Sequence, residues 1–387
     1  MSHVLEINDI EDLSQYRMAW NALLPETPGA SFFHTIDWLE TYWRHFGHDQ
    51  KLRVLIVRSA GATIGILPLC VRRERYRVGT LRVLTYPLDN WGTWFGPIGP
   101  NPATTMLAAM QYIRRAKRDW DMIELRWTGP EGADHGRTAR SMRAANLLTE
   151  KNEYQTTSII DLPKKWDDFL SAKSSTLRRQ FRRTLKQIYE DRGGQFARHR
   201  PAPARAGDGD PRWDLYEMCE TAALASWQGR VTNGNTITHD RVRDYCRDAH
   251  EAAARLGMVD VNVLLLENRP AAFLYNYHYQ GRITALRTGY DASAGHDGVG
   301  SAVILKSIED SIIRGDELID FGPGEREHKR RLRTRTESSY RLTYTPLGSL
   351  KSQAVSWSRW AKKRWQARAA SVATAVSVNA PAAASAT

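Results

Sequence analysis

The chain has 387 residues, 42% of them hydrophobic and 25% charged, which is length and apolar content enough for two or more cored domains of ~100–200 residues. Its net charge of +12 favours anionic partners such as phosphates, nucleic acid, acidic lipid or an acidic co-substrate, without choosing among them. Cys70, Cys219 and Cys246 are scattered and form no CxxC pair, which excludes a disulfide scaffold or zinc ribbon and fits a reducing compartment. The opening "MSHVLEINDIEDLSQY" is acidic with no apolar core, and no run nears the ~20 apolar residues of a membrane span, so a soluble cytoplasmic protein is expected.

In chain order, "KLRVLIVR" (51–58) reads as a strand rich in β-branched residues, "SAGA" as a turn and "TIGILPLCVR" (63–72) as a second strand, its Pro68 suggesting an edge or bulge. "GTLRVLTYP" is a third strand. A Gly/Pro-rich loop, "DNWGTWFGPIGPNP", then leads to a helix, "ATTMLAAMQYIRRAKRD", and to a strand, "DMIELRW", that ends in "TGPEG".

The second half repeats this order. "VDVNVLLL" (259–266), "AAFLYNYHY" and "RITALRTGY" read as three strands, separated by the turns "ENRP" and "QG". A loop, "DASAGHDGVGS", precedes a helix, "AVILKSIEDSIIRG", that places Ile304, Leu305, Ile308 and Ile312 on one face. The closing strand "ELIDF" ends in "GPGE". The pattern predicts an internal duplication of an α+β unit; two unrelated α/β segments are the alternative.

Between the halves, Leu177, Phe181, Leu185 and Ile188 have helical spacing, flanked by Arg178, Arg179, Arg182, Arg183 and Lys186. The segment "RPAPARAGDGDPR" (200–212) reads as a loop. Beyond about residue 350 a basic stretch interleaves Trp357, Trp360 and Trp365 with cations, a pattern suited to an anionic membrane surface or to packing on the domain. The final "AVSVNAPAAASAT" is low in complexity and expected to be disordered.

Gly298 and Gly300 lie between a strand and a helix, where glycine permits close backbone approach and the helix start offers unpaired N–H groups to a pyrophosphate. A dinucleotide fold would place its glycines after the first strand of a βαβ unit. The order here instead resembles the acyl-CoA-binding unit of N-acyltransferases, with Gly295-x-x-Gly298-x-Gly300 where that motif has Arg or Gln first.

Further stretches occur in a telling order. They are "FFHTIDWLETYWRHFG" (32–47), "SSTLRRQFRRTLKQIYEDRG" (174–193), "ASWQGR" (225–230), "RPAAFLYNYHYQGRITALRTGYD" (269–291) and "VGSAVILKSIEDSIIRGDELIDFGPG" (299–324), followed by Lys329. With them the chain resembles the CelD/BcsL-type acetyltransferases of the GCN5-related N-acetyltransferase (GNAT) superfamily, related to Fem-type transferases. The resemblance implies two tandem GNAT-like lobes, each a mixed, mostly antiparallel sheet flanked by helices. Lobe one would span 1–155 and be degenerate, with Trp91, Trp94 and Phe95 obstructing its pyrophosphate loop. Lobe two would span 156–348 and hold acetyl-CoA or another acyl-CoA at Gly298, Val299, Gly300 and Ser301. Residues 349–387 would form a basic, Trp-containing segment and tail.

Acyl transfer to an amine needs a polarised thioester carbonyl, a route for the amine proton and help for the departing thiolate. Asp320, at the end of "ELIDF", is the leading acid/base candidate, the alternative being a cap on "FGPG". His328 is a candidate proton relay, and Tyr290 a donor to the thiolate. Lys329, Trp227 and Arg230 are candidate acceptor-binding residues, against a solvated loop and a packed Trp anchor. The histidines of "HFGHD" (45–49) lack a third ligand nearby, so no metal is expected. The expected reaction is acyl-CoA-dependent N-acylation of an amino sugar or other cell-envelope precursor, a small-molecule or glycan-precursor amine. The alternatives are a Fem-like transferase using aminoacyl-tRNA, the one case in which nucleic acid is expected, and a non-catalytic scaffold of a polysaccharide system.

Overall fold

A computed structural model describes residues 3–88, 91–129, 133–226, 236–291, 298–361 and 364–365. The first unit runs β1 (His3–Ile7), α1 (Arg17–Leu23), α2 (Ile36–Phe46), β2 (Lys51–Ser59), β3 (Ala62–Tyr76), β4 (Gly79–Thr85), α3 (Pro102–Arg115), β5 (Met122–Thr128), α4 (Arg137–Ala144) and β6 (Glu150–Asp161). After α5 (Trp166–Ser171) and α6 (Ser175–Leu185) the second unit follows. It comprises β7 (Gln195–His199), α7 (Trp213–Ala225), α8 (Arg243–Arg255), β8 (Val259–Leu266), β9 (Arg269–Tyr279), β10 (Arg282–Tyr290), α9 (Val299–Ile313), β11 (Leu318–Pro323), α10 (Glu327–Leu332) and β12 (Arg335–Tyr344). Residues 350–361 form a last helix, α11. The strand–strand–strand–helix–strand order expected twice is present twice.

All twelve strands join one sheet, in the order β1-β2-β3-β4-β5-β12-β6-β11-β10-β9-β8-β7. Two pairs are parallel, β4 with β5 and β10 with β11; the other ladders are antiparallel. At the centre the units exchange their last strands. β6, from the first half of the sequence, pairs with β11, while β12 pairs with β5. β6 and β12 also pair with each other, so β5 and β11 are covered instead of standing as open edges.

Alternation along each strand sorts the core. Ile319 and Phe321 of β11, Ile283 of β10 and Ile160 of β6 pack with Val303, Leu305 and Ile308 of α9. Phe181 and Ile188 join the same core, so the apolar stripe foreseen between the halves is real and seats α6 beside α9. A larger core holds α2, α3, α7 and α8 around Trp20, Trp38, Tyr216 and Tyr275. Pro68 pairs with Val54 of β2, and β4 ends at Thr85 opposite Cys70, so Pro68 lies where β3 has one strand neighbour. All three cysteines are buried and free, and burial pushes Cys70 and Cys246 up to about 12, so they are inert packing residues.

The basic run after Gly324 is not a loose loop. It forms α10 and the start of β12. Arg330 and Arg331 pair with Glu327, Arg333 with Glu325, and Arg335 with Asp161 and Glu337.

Candidate active site

The parallel pairing of β10 with β11 is short: Arg282, Ile283 and Thr284 face Leu318, Ile319 and Asp320, and no further pairs form. Both strands become irregular beyond it. β10 shifts register between Ala285 and Arg287, and β11 does so between Asp320 and Pro323, where Gly322 takes φ +73°. These bulges splay the strands apart and leave the outer edge of β10 unpaired by strand from Ala285 to Tyr290.

Asp320 stands at the point of the splay. With Ile319 and Phe321 committed to the α9 core, its side chain leaves by the other face, and it is only 6% exposed. Its Oδ1 accepts the Gly322 N–H at 2.8 Å, and its Oδ2 accepts the indole N–H of Trp94 at 2.6 Å. The Asp320 carboxylate thus caps the turn and also faces a cleft, which joins the two readings of this residue. Burial raises its pKa above the usual carboxylate value, the Gly322 and Trp94 donors oppose that, the nearby Glu337 charge adds to it, and Lys329 opposes it. Among the described residues Asp320 makes no salt bridge, so its direct partners are neutral.

The cleft lies between the units and encloses about 840 Å³ of non-protein space, its open mouth included. One wall is first-unit loop, Gly29 to His34 and Thr93 to Pro97, with Trp127, Asp134 and Arg137; the other is Thr284, Leu318 and Asp320, with Ile159 of β6 and Glu337 of β12. The exchanged strands therefore contribute to it directly. Trp94 and Trp127 adopt left-handed backbone, φ +48° and +60°, and meet edge to face at 5.5 Å. A Cβ on Gly129 would lie 2.9 Å from the Trp94 ring, so glycine there lets the indole reach Asp320. Phe95 and Trp91 are buried in the larger core. Of the rings expected only to obstruct a first-unit pocket, Trp94 and Phe95 line this cleft, and Trp94 reaches Asp320 of the second unit.

His34 also lines the cleft. Burial lowers its pKa to about 4, and its Nδ1 accepts the Ser31 N–H at 3.2 Å, which leaves a neutral ring with its proton on Nε2. Asp134 caps α4, accepting the Thr138 N–H at 3.1 Å beside Arg137 at 3.7 Å, and Glu337 accepts from Arg335 at 3.1 Å. Three carboxylates consequently line one cavity, and Asp320 alone of them has no ion-pair partner among the described residues.

Of the residues singled out from sequence, Lys329 joins Asp320. Its Nζ donates to the carbonyls of Gly322 and Pro323 at 3.2 and 2.8 Å, clamping the β11 bulge. Burial pulls it down to about 8, against the field of Asp320. His328 packs edge to face on Phe321 at 6.1 Å, and burial, Lys329 and Arg326 keep its pKa below the usual value. Tyr290 does not join them. It lies six residues beyond Thr284 on β10, roughly 20 Å along the strand, half-exposed, with its ring against Gly300. Trp227, Arg230 and Gly295 lie outside the described residues. His45 of "HFGHD" contacts Asp248 of α8 at 2.9 Å, beside Arg44 on the same carboxylate.

Gly298 to Ser301 open α9. Gly298 takes φ +108°, a conformation open to glycine, and no acidic residue occupies the first turn. The Ala302 N–H closes onto the Gly298 carbonyl, leaving the N–H groups of Val299, Gly300 and Ser301 at the helix start. Val299 sends its side chain into the core, so only its backbone can serve a ligand. The absent Cβ of Gly300 makes room for Tyr290, 3.2 Å from where it would stand. α6 runs alongside, with Thr184 3.4 Å from the Cβ position of Gly298. Its Arg178, Arg179, Arg182 and Arg183, with Lys186 just past its end, line one open surface groove, and none of the five is in a salt bridge among the described residues. The residues present fit a phosphate-bearing co-substrate.

Residues 175–330 match the acetyltransferase (GNAT) domain family. That match runs from α6 through most of α10 and includes Gly298, Asp320 and Lys329. The whole chain also has neighbours among solved structures. FemX aligns with 89% of this chain and 97% of its own at 12% identity and a TM-score of 0.58. A DUF2156 C-terminal domain, from an Agrobacterium fabrum protein assigned as a lysylphosphatidylglycerol synthetase, aligns with 88% of this chain and 95% of its own at 11% identity and 0.54. L-PGS of Bacillus licheniformis does so over 88% and 96% at 15% identity and 0.52. At such identities these neighbours speak for the fold alone. No curated protein matches the sequence. The GNAT match supports an acyltransferase-like second unit.

His34, Asp134 and Glu337 were not singled out from sequence, and Trp94 was expected only as an obstructing ring. His34 lies inside the "FFHT" stretch of the family resemblance, which was a usable signal. Trp94 carried one too, as a ring in a loop where its counterpart unit has small residues.

Proposed function

We propose that the protein is an acyl-CoA-dependent N-acyltransferase in which Asp320 takes the proton of an acceptor amine held in the inter-unit cleft. The observation that carries this reading is a buried carboxylate at the point of the β10–β11 splay, bonded to neutral donors. A carboxylate so placed is raised toward working pH, as a general base requires.

Acyl-CoA supplies a thioester carbonyl for the amine to attack, so a C–N bond forms and a C–S bond breaks. The residues that would hold the co-substrate's phosphates are Gly298 to Ser301, at the start of α9. The amine proton passes to Asp320, and Trp94 and Gly322 hold the carboxylate in place as it titrates. Lys329 keeps the bulge in shape from the side of α10. Tyr290 belongs with the α9 end of the site, where it can touch the co-substrate; its distance from Asp320 argues against a role at the reacting carbonyl.

Asp134 and Glu337 are matched by Arg137 and Arg335, so Asp320, the one carboxylate of the cleft without an ion-pair partner among the described residues, is the group that would attract a protonated amine. The CelD/BcsL-type resemblance points to an amino sugar or other cell-envelope or polysaccharide precursor as acceptor. The test is release of free CoA from acetyl-CoA over a panel of amino sugars and amines. Turnover with at least one amine, abolished in Asp320→Asn, supports the reading; turnover equal in the two proteins counts against it.

A second reading, an aminoacyl-tRNA-dependent transferase, rests on the five unneutralised cations of the α6 groove. Salt-sensitive tRNA binding with CoA-independent transfer would favour it.

A further inference from the structure

α11 meets the body of the protein with one face. Ser352 and Val355 are buried, and Val355 packs on Leu81, Val83 and Met122 of β4 and β5. One turn on, Arg359 donates to Glu124 at 2.8 Å and lies over the Tyr76 ring at 5.6 Å. At 3.6 residues per turn, Leu350, Trp357 and Trp360 fall on the opposite side, and Arg364 continues that line.

That side is bare. Trp357 is 68% exposed, Trp360 50% and Trp365 72%, with Leu347 and Leu350 open beside them. Trp357 and Trp360 meet edge to face at 6.1 Å, and the Arg364 guanidinium lies 4.9 Å from the Trp360 ring. Residues 338–387 contain no Asp or Glu; Arg341 and Arg359 pair with Glu124, and the segment also carries Lys351, Lys362, Lys363, Arg364 and Arg368. None of the described helices is long and apolar enough to cross a membrane.

We infer that α11 docks the protein on a bilayer surface containing anionic lipid. Indole rings seat at the headgroup level, where an apolar body and a polar N–H are both accommodated, and neighbouring cations add attraction to acidic headgroups. Aliphatic Leu347 and Leu350, exposed just before and at the start of α11, suit acyl chains. Arg359 and Val355 hold the helix to the first unit, so the Trp face is presented on a fixed support.

The test is co-sedimentation of the full chain with vesicles of phosphatidylcholine alone or mixed equally with phosphatidylglycerol. The expected result is binding to the mixed vesicles, weakened by salt and much weaker on phosphatidylcholine. Trp357→Ser combined with Trp360→Ser should lose about tenfold or more, and Arg364→Glu about fivefold. All three substituted positions are exposed, and unchanged far-ultraviolet circular dichroism shows that the fold is kept. Equal binding to both vesicle types, or binding untouched by the double variant, overturns the inference. Self-association through this face without vesicle binding, seen by sedimentation velocity, overturns it as well.

Discussion

The indole N–H of Trp94 donates to the carboxylate of Asp320 at 2.6 Å across 226 positions of sequence. Trp94 comes from the first-unit loop between the third strand of the repeat and its helix, the place that the glycine-rich loop before α9 takes in the second. A loop with large rings in the first unit thus orients the acid/base candidate of the other unit. This ties the two halves into one site, and it makes the titration of Asp320 depend on the first unit.

Trp94→Phe keeps most of the ring and removes the donor. Hydrogen bonds to a charged group stabilise the ionised form, so the Asp320 pKa should rise further. A base works deprotonated, so the acid limb of the kcat/KM profile should move to higher pH. Glu337→Gln removes a like charge and should move the same limb to lower pH. Opposite displacements in the two pH profiles are the expected outcome, and movement in the same direction would count against the assignment.

Asp320→Asn is close to isosteric and keeps one acceptor oxygen, for Trp94 or for Gly322. It should leave co-substrate affinity intact while lowering kcat by ~10²–10⁴-fold, the usual contribution of a general base. Steady-state kinetics separate the two effects.

Gly298→Ala tests the start of α9. The new Cβ would meet Thr184 at an ordinary 3.4 Å, so the penalty comes from φ +108° and not from a clash. Relaxing that strain, of order 1–3 kcal/mol, displaces the first-turn N–H groups. KM for acyl-CoA should rise about tenfold or more, with the acceptor KM little changed.

His34 and His250 are both buried, and burial lowers each from 6.5 to about 4. The unfolded chain binds their protons first as pH falls, so the sign is fixed: their contribution is whole above pH 6.5 and is lost between 6.5 and 4. Each is worth about 3 kcal/mol across that window. Chemical denaturation at successive pH values should show this loss, and His34→Gln should make the slope shallower.

Much of the fold was readable because it rests on local pattern. Alternating strands, the "QG" turn and the stripe Ile304, Leu305, Ile308 and Ile312 each state their role within a few residues. The exchange of β6 and β12 was not readable. "RTESSYRLTY" has the alternation of a strand, but its neighbours β5 and β6 are chosen by packing between the units. The same limit explains Trp94, whose partner lies in the other unit. It explains Tyr290 too: the bulge and the length of β10 set its distance from Asp320, and neither is visible from the residue types. The ion pairs of Glu327 with Arg330 and Arg331 sit at helical spacing and could have marked α10.

The most direct measurement is isothermal titration of the full chain with acetyl-CoA, alongside Gly298→Trp, whose ring would fill the entry to α9. Saturable binding by the native protein, lost in the variant, is the predicted result. No binding by the native protein, or binding that Gly298→Trp leaves unchanged, would contradict acyl-CoA-dependent transfer at this site.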